Sequence, residues 1–179
     1  TQTARVWAYL RDDRPFGGRD PPAVFYEFTP DRKGEHPQRR LRDFRGILQA
    51  DAYAGFNALY EGGRVVEAAC WTHARRYFHD ELLANASPLA REAIERMRPL
   101  FAIEAEIHGQ PPEARLATRL ARSAPLMADL HTWLEATLRR ISGKSDLAKA
   151  IRYTLAQWNA LTTVLRDGRA CLHNNAAER

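Results

Sequence analysis

With 179 residues, 45% of them hydrophobic and 27% charged, the chain suits one ordinary domain or a small domain carrying an insertion, which excludes a disordered or fibrous class. No apolar run approaches a membrane span and no charged-then-apolar leader opens the sequence, so neither a membrane protein nor a secreted one is expected. Two cysteines, Cys70 and Cys171, exclude a disulfide framework and suit a reduced cytoplasm, while the net charge of +5 favours an acidic partner such as nucleic acid.

The first half has the texture of strands. In Arg5–Arg11, Val6, Ala8 and Leu10 alternate with Trp7 and Tyr9, the period of two that a strand requires. Residues 14–22 (RPFGGRDPP) are a loop by their glycine and proline content. Ala23–Thr29 (AVFYEFT) is again β-branched and aromatic, which predicts an antiparallel hairpin with the first run. After a polar turn at 30–36, a short basic helix is expected over 38–44. Residues 46–50 (GILQA) form a brief inner strand that ends in Asp51. A helix over 54–60 stops at Gly62-Gly63, a further strand covers 65–71, and a helix rich in arginine and aromatics covers 72–83.

Beyond that point helical spacing takes over. Ser87-Pro88 is a helix start, because serine caps and proline fits the first turn. Ala90, Ile94, Met97 and Phe101 follow at helical intervals, Pro111-Pro112 breaks the helix, and Pro125 starts or kinks another. Ser145 caps a helix whose stripe is Leu147, Ile151, Leu155, Trp158, Leu161 and Leu165, with Asp167-Gly168 as its stop. These stripes are core rather than a cofactor site. Strands followed by a long helical stretch and a short tail fit a mixed α/β (α+β) core interrupted by an insertion, or two adjacent small domains.

Few residues carry chemistry on their own evidence. Asp51 stands where an apolar strand runs out, a place where side chains leave the core on fixed backbone; equally, it fits a turn aspartate capping the next helix. Glu178 falls three residues after Asn175, the spacing of a capping box, and the first turn of a helix also presents a carboxylate rigidly. Cys70 and His73, with Cys171 and His173, offer the ligands of a Cys2His2 zinc site, at a spacing too short in the second pair for a strong signature. Phosphate contact is open to Arg75 and Arg76 and to the basic run containing Arg139, Arg140 and Lys144, with a solvated surface as the alternative. No glycine-rich phosphate loop and no serine nucleophile elbow is present.

The strings LQADAYAGFNALYEGGR, CWTHARRYF and NNAAER, with RVWAYLRDDRP, DRKGEHP and KSDLAKAIRYTLAQW, resemble transposases of the insertion-sequence-66 type across nearly the whole chain. The resemblance implies a bacterial, nucleoid-associated DNA transposase with a ribonuclease-H-like core and a DDE site. Residues 1–83 then belong to the core, 84–167 to a helical insertion, and 168–179 return to the core. Asp51 and Glu178 fall on the second catalytic Asp and the Glu, as ligands of Mg2+ or Mn2+, with two ions in the complete enzyme. Cys70 and His73 match a Cys-x-x-His signature and support the site, as do Asn174 and Asn175. DNA at transposon ends and target, and further copies of the enzyme in a homo-oligomeric complex, are the implied partners. The first catalytic Asp lies upstream of the matching segment, so residues 1–179 alone are expected to be inactive; Asp12, Asp13 and Asp20 do not occupy its position. His173 stands where the family has Asp. The contrasting readings are a non-catalytic basic DNA-binding or assembly module and a zinc-stabilised structural domain.

Overall fold

A computed structural model describes residues 4–174 and residue 177 and shows a mixed α+β chain. The alternating runs form the expected hairpin: β1 (Arg5–Arg11) pairs antiparallel with β2 (Ala23–Thr29), in register from Arg5↔Thr29 to Arg11↔Ala23. Because successive side chains point to opposite faces, Trp7 lies on one side, where its indole N–H donates to Thr29 Oγ1 at 2.9 Å and its ring packs on Tyr53 and Phe56. Val6, Tyr26 and Phe28 lie on the other side and stay exposed.

A short helix, α1 (Glu35–Arg40), follows; it starts and ends earlier than the expected 38–44. Asp31 Oδ1 accepts from Lys33 N–H and from the His36 ring, fixing the turn ahead of the helix. Pro37 then sits in the first turn, where a missing N–H costs nothing. β3 (Gly46–Gln49) and β4 (Val65–Ala68) pair in parallel, joined by a crossover that holds a 3-10 turn at Ala54–Phe56 and α2 (Asn57–Tyr60). β4 stops short of Trp71 because Ala69 N–H is bonded to Ala160 O and Trp71 N–H to Leu172 O, not to a neighbouring strand.

Helices then dominate: α3 (Trp71–Asn85), α4 (Pro88–Glu106), α5 (Pro112–Thr118), a π turn at Arg119–Ser123, α6 (Ala124–Leu138), α7 (Asp146–Ala156) and α8 (Trp158–Leu161). Both predicted caps are made: Ser87 Oγ accepts from Ala90 N–H at 3.3 Å and Ser145 Oγ from Ala148 N–H at 3.1 Å. Trp71, Phe78, Met97, Leu130, Leu134 and Ile151 meet in one buried core, so α3 and the later helices share it.

The stripe from Leu147 to Leu165 is not one helix. It breaks at Gln157 and ends in a 3-10 turn, Thr162–Leu165. Ala160 O is turned to Ala69 N–H, and Thr163 Oγ1 donates to Glu67 O at 2.7 Å; both bonds draw the chain onto β4 and away from its helical ladder. Leu147, Ile151 and Leu161 are buried, whereas Leu155, Trp158 and Leu165 are only partly so. Among the described residues no helix is long and apolar enough to cross a membrane.

Candidate functional site

Asp51 follows β3, and Ala50 N–H extends the parallel pairing by one bond to Ala68 O, so the strand backbone is fixed up to the residue before it. The 3-10 turn that follows has Tyr53 at its cap position with no side-chain capping bond, so Asp51 does not act as the helix cap that its position allowed. Its half-exposed carboxylate instead meets two side chains from distant elements. Asn174 Nδ2 donates to Asp51 Oδ1 at 3.1 Å, and His73 Nδ1 lies 3.5 Å from the same oxygen.

Each partner arrives by a separate route. His73 sits in the first turn of α3, whose cap position is held by Cys70; the thiol of Cys70 is buried in the core and makes no capping bond. Asn174 is delivered by the tail. Gln49 Nε2 donates to Cys171 O at 2.6 Å, Trp71 N–H donates to Leu172 O at 3.0 Å, and the Trp71 indole N–H bonds Leu161 O at 3.0 Å. Gln49 has no role in the reading of the sequence; a polar residue inside an otherwise apolar strand is the signal that could have found it. Asn174 Oδ1 is buried and has no hydrogen-bond partner among the described residues, leaving a hard carbonyl oxygen beside the carboxylate. Glu178 and Asn175, the other residues predicted for this site, lie outside the described residues.

A cavity of about 130 Å3 lies against His73 and is lined also by Arg76, Tyr77 and Asp80. Tyr77 packs on Tyr153 at 4.6 Å, and the Tyr153 hydroxyl is pushed up to about 12, first by burial and then by neighbours that include Tyr77 and the Asp51 carboxylate. A second cavity, of about 240 Å3, is lined by Thr72, Arg75, Arg98 and Phe101. Among the described residues neither Arg75 nor Arg76 has a carboxylate within ion-pair distance. Arg139 pairs with Glu135 at 3.8 Å, and Arg139, Arg140 and Lys144 take no part in the contacts around Asp51.

The zinc alternative loses its geometry. The described residues bring Asp31, Glu35 and His36 to within 4.8 Å of one another, but no group of three or more drawn from Cys70, His73, Cys171 and His173. The Asp31 grouping was given no role by the sequence; its carboxylate is already committed to Lys33 N–H and His36.

The family model described as "Transposase IS66 family" matches residues 1–179. Two uncharacterized proteins of Sinorhizobium fredii (strain NBRC 101917 / NGR234), y4hP and y4qI, are 43% and 38% identical over 99% and 100% of this chain. The chain spans about a third of the length of these relatives, 35% and 34%. No solved structure matches it.

Proposed function

Because the chain belongs to the IS66 transposase family, we propose that it is part of the catalytic domain of a DNA transposase, with Asp51 as a metal-binding catalytic carboxylate. One observation carries this reading: a carboxylate at the end of a parallel strand is met by a histidine from a helix start and an asparagine from the tail. Polar side chains converging on a strand end are how open α/β sheets build their sites. In this reading Glu178 adds the second carboxylate, and the longer protein supplies the third ligand from a segment upstream of residue 1. The β1–β2 hairpin and the β3–β4 pair are then two parts of one ribonuclease-H-like sheet, and the helices between Ser87 and Asp167 form an insertion in it. In the described chain β1 pairs only with β2, and β3 only with β4, so both have a free edge to accept a strand.

The donor set suits Mg2+ or Mn2+. Asp51 offers an accessible carboxylate and Asn174 a carbonyl oxygen without a partner among the described residues, the hard ligands that these ions prefer. Such ions, bound as a pair, polarise phosphate oxygens and activate an attacking water or 3′-hydroxyl. The chain's own groups hold that arrangement in place. Asn174 fixes one carboxylate oxygen by its N–H, and His73 Nδ1 lies 3.5 Å from the same oxygen. Arg75 and Arg76, on the same helix as His73, face DNA phosphate, for which a guanidinium has the matching fork. The complete enzyme works on transposon ends and target DNA as an assembly of several copies at the bacterial nucleoid.

The test is cleavage and joining of transposon-end DNA by the complete protein with Mn2+ or Mg2+. Asp51→Ala should abolish both reactions while the protein keeps its fold and its DNA affinity. An unmodified protein that binds DNA tightly, yet neither cleaves nor binds Mn2+, would instead make this a basic assembly module.

A further inference from the structure

Two arginines of the helical region are among the most deeply buried residues of the chain, with Arg115 1% and Arg119 0% exposed. Both face Glu104. Arg119 holds its carboxylate through two bonds, Nε to Oε1 at 2.6 Å and Nη2 to Oε2 at 2.8 Å, and Arg115 Nη2 reaches Oε2 at 3.3 Å. The remaining donors go mainly to backbone carbonyls of the tail. Arg119 bonds Asp167 O at 3.3 Å and Ala170 O at 2.8 Å, and Val164 O at 3.1 Å in the turn before the tail; Arg115 bonds Gly168 O at 2.8 Å and Ala170 O at 3.3 Å, and Pro15 O at 2.7 Å outside it.

Stability alone does not call for this arrangement. Removing two guanidinium groups and a carboxylate from water is costly, and apolar residues of similar volume commonly serve a core as well or better. A guanidinium adds a rigid fork of five donors at fixed angles, which dictates where the accepting carbonyls stand. The accepting segment has no other regular structure of its own. From Arg166 to Asn174 it forms neither helix nor strand, and Gly168 lies so close to α5 that a Cβ there would stand 1.8 Å from Pro112 O. Immediately downstream, Gln49 and Trp71 take the carbonyls of Cys171 and Leu172, and two residues later Asn174 meets Asp51.

We propose that Arg115 and Arg119, held by Glu104, are positioning residues through which the helical region sets where the tail places Asn174 against Asp51. The contact with Asp51 gains catalytic meaning only under the function proposed above. The placement of the tail does not depend on that function.

The test uses Arg115→Lys and Arg119→Lys, which keep the charge opposite Glu104 and lose the fork, with Glu104→Gln as a milder third variant. Hydrogen exchange is followed over residues 166–174 and over α6, and Mn2+ affinity is measured well below the melting temperature. Leu130→Ala serves as a control destabilised in the shared core. The expected result is faster exchange in the tail with α6 unchanged, and Mn2+ affinity weakened about tenfold, the usual effect of removing a group that orients a ligand. Leu130→Ala should leave Mn2+ affinity as it was. Unchanged tail exchange in all three variants overturns the proposal, as does an equal loss of Mn2+ affinity in Leu130→Ala. If the unmodified protein binds no Mn2+, the assignment of Asp51 fails, and the exchange measurement still decides the positioning.

Discussion

Asn174 and Asp51, 123 positions apart in the chain, share a hydrogen bond of 3.1 Å in which the amide N–H donates to the carboxylate. The bond is exposed and adds little to stability; its consequence is to fix the direction of the carboxylate. Asn174→Ala should therefore cost no more than about 1 kcal/mol in a thermal melt. The same substitution should weaken Mn2+ binding about tenfold by titration. A variant that melts normally and binds Mn2+ normally removes Asn174 from the site.

Trp71 joins the crossing point of the core. Its ring is fully buried, packs edge-on against Trp158 at 5.7 Å, and donates to Leu161 O. Trp71→Phe keeps most of the apolar volume and removes the indole N–H that Leu161 O accepts, a loss of about 1 kcal/mol. Chemical denaturation of the two proteins measures it.

Gly168→Ala should be among the most damaging small substitutions. The new methyl would meet the backbone of Pro112, which has no flexible end to swing aside. Overpacking against rigid backbone costs about 1–3 kcal/mol or more. A melting temperature within error of the parent would show that α5 and the tail can separate freely.

Glu67 gives a pH dependence. Burial raises its carboxyl above the ordinary glutamate range. A folded-state pKa above the unfolded one adds stability that is fully present below the unfolded pKa and is lost as pH rises through the folded pKa. Glu67→Gln should therefore raise the melting temperature at pH 7–8 and lose that advantage near pH 4. A constant difference across this range would assign the effect to packing.

The outer face of the hairpin carries Val6, Tyr26 and Phe28 at 55%, 60% and 72% exposure, a contiguous apolar patch of the kind that drives association. The double change Tyr26→Thr and Phe28→Thr should reduce self-association of residues 1–179 in sedimentation. Its effect on the melting temperature should be small, because exposed substitutions shift stability by about 0.5 kcal/mol or less.

Much of the architecture was legible locally. Alternation specified the hairpin and its faces, Ser87 and Ser145 announced their helices, and Pro111-Pro112 marked a break, because each signal acts within a few residues. The motif strings around Asp51 and Cys70 pointed to the family that the comparison shows. Tertiary structure decided the rest. Whether Asp51 caps a helix or faces other side chains depended on His73 and Asn174 arriving from far along the chain, which no local period encodes. The break at Gln157 followed from carbonyls and hydroxyls turned toward β4, and the burial of Arg115 and Arg119 from a tail whose carbonyls needed donors. Hydrophobic spacing tells which face of an element is covered; the partners that cover it are chosen by packing across the whole chain.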